Sequence, residues 1–164
     1  MKKAIDVIGG KVFPFILLFL SVGWLSCGKD DDSSSPPTNI TYSGSFVKSK
    51  DNVVTTATGK TTAVFNPVTR ELSYELSWTG LSSNAVGMHF HDAGPIIIDI
   101  KEHSNGMSGT ASGKAILTVE QVNDLNAGKI YSQIHSQNYP GGEVIATMMK
   151  SGTATSVSGA GSGY

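Results

Sequence analysis

The clearest hydrophobic pattern in the chain is "RELSYELSWTG", Arg70 to Gly80. Leu72, Tyr74, Leu76 and Trp78 fall on one face of an extended strand, and Glu71, Ser73, Glu75 and Ser77 on the other. A period of two places one face in a core and the other toward water. "ITYSGSFVK" repeats the pattern, with Tyr42, Gly44 and Phe46 against Thr41, Ser43 and Ser45. "VVTTATGKTTAVFN" is threonine-rich and β-branched, which suits a half-buried pleated surface. Similar short runs follow at "AVGMHFH", "GPIIIDI", "TASGKAILT", "KIYSQIHS" and "GEVIATMM". Eight short strands separated by Gly, Pro and Asn predict an all-β fold, an antiparallel β-sandwich. Its expected core holds Phe46, Val64, Leu72, Tyr74, Leu76, Trp78, Phe90, Ile97, Ile130 and Ile134.

One segment changes period. In "TVEQVNDLNAGK", Thr118 and Gln121 stand at capping-box spacing, and Val119, Val122 and Leu125 share one side of a short helix. Gly128 suits the left-handed residue that ends it. A helix over 119–127 is therefore expected to cross between strands, packed on the sandwich because two turns are not stable alone.

The two ends of the chain read differently from its middle. Lys2, Lys3 and Lys11 precede "VFPFILLFLSVGWL", an apolar run too short for a membrane-spanning helix and fitting a secretory signal peptide over 1–26. Cys27, the single cysteine, follows directly, where it resembles the lipidated cysteine of a bacterial lipoprotein. "GKDDDSSSPPTN" then forms, with Cys27, a flexible tether over 27–39, since nothing in it fills a core. Within it, Lys29, Asp30, Asp31 and Asp32 resemble a signal that sends lipoproteins to the outer surface of some Gram-negative cells. The expectation is an exported, surface-exposed outer-membrane lipoprotein held to the membrane by its lipid. That leaves one domain over 40–150 and a loose Gly/Ser-rich tail over 151–164.

Charge narrows the partners. The chain carries 12 Lys and Arg against 13 Asp and Glu, net −1, with no basic stripe, so nucleic acid is not an expected partner. "TGKTT" and "GTASGKA" lack the glycine spacing of a phosphate-binding loop, and neither opens a helix. No Gly-x-Ser-x-Gly elbow occurs, and one cysteine cannot make a paired-cysteine zinc motif.

The candidate chemistry lies in "GMHFHDAGP", Gly87 to Pro95. If Met88 and Phe90 face the core, His89 and His91 leave it together, ~6.6 Å apart along the strand. In "IYSQIHS", Ile130 and Ile134 inward would put Tyr131, Gln133 and His135 outward. If these strands are neighbours, His89, His91 and His135 converge and can pinch a zinc or copper ion, weakly bound. Hydrogen bonding of surface histidines to backbone, Asp92 or Glu143 explains the same pattern. His103, in a separate loop, is badly placed to join them.

From Tyr42 to Met149 the chain resembles a CHRD domain, a module described in chordin and found in bacterial exported proteins. The resemblance is carried by "TATGKTTAVFNPVTRELSYELSWTGL", "GMHFHDAGP" and "LTVEQVNDLNAGKIYSQIHSQNYPGGEVIA". His89, His91, Tyr131, His135, Pro140, Gly142 and Glu143 fall on motif positions. The segment between His91 and Pro95 is shorter than the family's usual loop. Ile145 stands where the family carries an Arg that could neutralise Glu143. The resemblance implies a non-enzymatic binding or structural module, with an unidentified protein or glycan partner. The competing likeness is to Cu/Zn superoxide dismutase, another immunoglobulin-like sandwich with a Gly-x-His-x-His strand. It would imply a metal-dependent enzyme, but that family's cysteine pair and histidine-rich zinc loop are missing here, and likeness of fold does not carry function.

Overall fold

The computed structural model describes residues 38–154. In chain order they form β1 (Asn39–Ser45), β2 (Val47–Lys48), β3 (Thr58–Asn66), β4 (Glu71–Thr79), β5 (Ala85–Asp92), β6 (Ile96–Asp99), β7 (Gly109–Ile116), α1 (Val119–Asn126), β8 (Ile130–Ser136), β9 (Val144–Thr147) and β10 (Met149–Ala154). The strands make two five-stranded sheets, ordered β10-β1-β3-β4-β7 and β2-β9-β8-β5-β6. Every pairing between strands is antiparallel. The expected all-β sandwich is the fold.

The period of two in β4 buries Leu72, Tyr74, Leu76 and Trp78, and they face Met88, Phe90, Ile130 and Ile134 of the other sheet within one core. Tyr74 and Phe90 meet ring to ring at 4.9 Å across it. One polar pair joins the sheets inside: the Thr61 and Ser132 hydroxyls lie 2.6 Å apart, each satisfying the other.

Ten strands replace the eight expected, because two runs cross between sheets. "ITYSGSFVK" divides at buried Phe46, with β1 in the first sheet and β2 in the second. "GEVIATMM" divides at buried Met148, with β9 in the second sheet and β10 in the first. A corner residue in the core lets a strand change sheets without interrupting burial. The two crossings pass so closely that a Cβ on Gly44 would overlap the Thr147 carbonyl.

Other expectations need correction. Ser151 to Ala154, read as loose tail, belong to β10 and pair with the start of β1, Asn39 opposite Ala154. The free edge of β1 needs backbone partners, and pairing supplies them whatever the side-chain composition. Val64 is exposed at 39%, since Thr61, Ala63 and Phe65 are the inward residues of β3. Ile97 is half-buried on the short edge strand β6. The helix is capped by reciprocal Thr118 and Gln121 bonds as expected, and Gly128 is left-handed at φ 69°. Its buried contact, however, is Leu125, with Val122 at the margin and Val119 exposed.

Candidate metal centre

Strand β5 lies between β6 and β8, and its register decides which side chains meet. Gly87 pairs with His135, His89 with Gln133 and His91 with Tyr131; on the other edge His89 pairs with Asp99. Met88 and Phe90 are fully buried, so His89 and His91 leave the core on the face that carries His135. The convergence expected from sequence is present: one nitrogen from each of the three rings lies within 4.8 Å of the others.

This face is less open than expected. His91 is 8% exposed, because its ring lies flat on Tyr131 (centroids 5.1 Å apart, planes 8° apart) and the turn after it folds back. In that turn Ala93 takes the left-handed φ of 49°, and the Gly94 carbonyl ends 2.8 Å from His91 Nδ1.

The ring nitrogens have assigned roles. A carbonyl can only accept, so His91 Nδ1 carries the proton and Nε2 keeps its lone pair. That Nε2 is buried and has no hydrogen-bond partner among the described residues. His135 repeats the arrangement: Nδ1 donates to the Pro140 carbonyl at 2.8 Å, which leaves Nε2 as an acceptor. His89 places Nδ1 3.1 Å from His135 Nε2, while its own Nε2 faces Asp99 Oδ1 at 3.7 Å. With His135 Nε2 an acceptor, the His89 Nδ1–H donates to it; only a move of that proton to Nε2, toward Asp99, would free both nitrogens for an ion.

Electrostatics favour the neutral rings that a metal needs. Burial holds His89 below the ordinary imidazole range, His135 adds to this, and Asp99 opposes it. Burial also lowers His135, partly offset by its bond to Pro140. Lys101 pairs with Asp99 and, against burial, keeps that carboxyl below the usual carboxylate range.

The carboxylates expected to serve the histidines are engaged elsewhere. Asp92 is pushed up by burial and by the neighbouring Asp124. Glu143 is fully buried, and accepts from Thr55 Oγ1 at 2.5 Å, Ser82 N at 2.8 Å, Ser82 Oγ at 2.9 Å and Ser136 Oγ at 2.5 Å. Burial alone would raise its pKa, but these bonds, led by Ser136, hold the carboxyl below the usual range. Neutral donors thus satisfy Glu143 where the resemblance implies an Arg in place of Ile145. His103 stands apart, bridged to Ala111 of the first sheet.

The CHRD domain family model matches residues 38–145. The chain belongs to the CHRD domain family. Searches among curated proteins and solved structures gave no match. In this CHRD domain the motif positions form one connected group. Tyr131 stacks on His91, and the Pro140 carbonyl holds His135. Gly142, at φ 107°, lies where a Cβ would overlap the Gln133 amide. Glu143 closes the same connection between β8 and β9, donating its backbone N–H to the Ile134 carbonyl at 2.8 Å.

Sequence reasoning missed Asp99, the Gly94 carbonyl, and the hydroxyls around Glu143. Asp99 had a signal: a tight turn at "DAGP" folds "IIID" back along β5 and brings Asp99 beside His89. The hydroxyls had none, because Thr55, Ser82 and Ser136 come from three separate segments. Cys27, Lys29, Asp30, Asp31 and Asp32 lie outside the described residues.

Proposed function

We propose that the chain is an exported envelope lipoprotein, anchored through Cys27, that presents its CHRD sandwich as a non-enzymatic binding or structural module with a weak zinc or copper site. The observation that carries the metal part is the orphaned, buried Nε2 of His91 beside the ring nitrogens of His89 and His135. Burying an acceptor without a partner costs on the order of 1–3 kcal/mol. A cation removes that penalty.

The outer partners fit the same reading. Metal-bound imidazoles usually donate their other N–H to a carbonyl or carboxylate, which sets the tautomer. Gly94 and Pro140 accept at two of those positions at 2.8 Å, and the Asp99 carboxylate faces the third at 3.7 Å, an ion-pair distance. Two nitrogens each ~2.1 Å from one ion are at most ~4.2 Å apart, so the 4.8 Å spread must narrow when an ion binds. That rearrangement accounts for weak binding. The ion, when bound, would cross-link β5 and β8 and offer a remaining position to an outside donor.

Anchoring rests on the apolar run ending two residues before Cys27, and surface display on Lys29 to Asp32. The module's partner would be an envelope or extracellular protein or glycan. Three imidazoles fall short of the four nitrogens of a dismutase copper, which favours a binding role.

Calorimetric titration of tag-free protein with zinc and with copper tests the reading. Micromolar binding that disappears in His89→Ala and weakens about 10- to 100-fold in Asp99→Asn is expected. No binding to the native chain would leave the histidines as hydrogen-bonding residues. Copper- and His89-dependent superoxide turnover would replace the module with an enzyme.

A further inference from the structure

Glu143 has no exposed surface, and among the described residues no Lys or Arg is a hydrogen-bond partner of its carboxylate. An ionised carboxylate out of water costs several kcal/mol unless donors replace the solvent. Here the donors come from three places. Thr55 belongs to the connection between β2 and β3, Ser82 to that between β4 and β5, and Ser136 ends β8. The backbone joins the same knot, with the Ser49 N–H donating to the Glu143 carbonyl at 2.9 Å.

What hangs from this knot is the connection 137–142. The Asn138 N–H donates to Ser83 Oγ at 2.8 Å, and its side-chain amide donates to the Ser82 carbonyl at 3.2 Å. The Tyr139 N–H donates to Ser136 Oγ at 3.3 Å. The Tyr139 hydroxyl donates to the Val54 carbonyl and accepts from the Val54 N–H, both at 3.1 Å. Between these fixed points sits Pro140, whose carbonyl holds His135 Nδ1. Beside the bonds to Ser83 and Val54, those from Asn138 and Tyr139 reach Ser82 and Ser136, the residues that Glu143 grips.

We infer that Glu143 is a positioning residue for the histidine cluster: by gripping Ser82 and Ser136 it fixes the Pro140 carbonyl, and so keeps His135 in the tautomer whose Nε2 faces His89. The inference rests on the metal reading for its purpose, but its geometry stands without it. A leucine of similar volume would fill the space without the desolvation cost. It could not accept from the two serines, and the connection would lose its register. Glutamine keeps the shape but turns one acceptor oxygen into a donor facing hydroxyl groups.

The test uses the native chain, purified without a His-tag, alongside Glu143→Gln, Ser82→Ala and, as a control on an exposed carboxylate, Glu75→Gln. Long-range proton–nitrogen spectra of the metal-free imidazoles read the His135 tautomer, and zinc titration reads affinity. The native chain and Glu75→Gln should show His135 protonated on Nδ1. Glu143→Gln should show mixed tautomers and about 10-fold weaker zinc binding, the low end for an outer partner of a metal ligand. Ser82→Ala, which loses one of the four grips, should move the same way by a smaller factor. A folded Glu143→Gln with the native His135 tautomer would overturn the inference. If Glu143→Gln does not fold, an unchanged tautomer in Ser82→Ala overturns it instead. A native chain that binds no zinc removes the metal reading, and the tautomer comparison then decides the positioning role by itself.

Discussion

Replacing His91 by phenylalanine separates a ligand from a core residue, because the two roles predict opposite signs. His91 is 8% exposed, stacks on Tyr131 and leaves Nε2 without a partner among the described residues. Phenylalanine keeps the flat ring and removes the orphan, a gain of about 1–3 kcal/mol. It forfeits the Nδ1 bond to Gly94, about 0.5–1.5 kcal/mol, though the exposed Gly94 carbonyl can turn to water. The metal-free variant should therefore be more stable by about 1 kcal/mol, or roughly 4 °C in Tm for a domain of this size. Zinc at a hundred times its Kd should stabilise the native protein by about 2.7 kcal/mol, a shift of roughly 10 °C. In His91→Phe that shift should vanish. Calorimetric melts of tag-free protein, in chelator and in zinc, measure both effects. A variant less stable than native in chelator, yet still raised by zinc, would refute the reasoning at both steps.

Leu76 is fully buried on β4, so Leu76→Ala should cost about 2–5 kcal/mol in urea unfolding. A loss under half a kcal/mol would contradict the packing of the two sheets. Metal binding requires neutral imidazole; burial first, then neighbouring histidines, hold His89 and His135 below the ordinary value. Those two rings are thus in the ligand form at neutral pH, and zinc affinity should stay level down to about pH 6.5 and fall at lower pH. Affinity that rises on acidification would exclude imidazole ligation. Mass spectrometry of the membrane fraction should find a lipid-bearing peptide beginning at Cys27; a soluble chain with an unmodified thiol would end the lipoprotein reading.

Much of the architecture was legible in the order of side chains. The alternation in β4 named its buried face residue by residue, and Thr118 with Gln121 marked the helix start, because a strand's period and a helix cap are local properties. The outward pair His89 and His91 followed from Met88 and Phe90 by the same local rule. What no local rule contained was where strands change sheets: Phe46 and Met148 turn two continuous runs into four strands, since the corner depends on how the sheets pack. Ser151 to Ala154 became a strand through the needs of β1's edge rather than through their own pattern. The centre itself is divided in the same way. Sequence placed His89, His91 and His135 on one outer face and left open whether they meet. The pairing of β5 with β8 settled that they do, and the folding back of the turns at Gly94 and Pro140 settled which nitrogen His91 and His135 present. Glu143's partners come from segments more than 60 residues upstream as well as from its own hairpin. Only packing of the whole domain brings such groups within hydrogen-bond reach, and that is why a buried carboxylate without a cation could not be read from the order of residues.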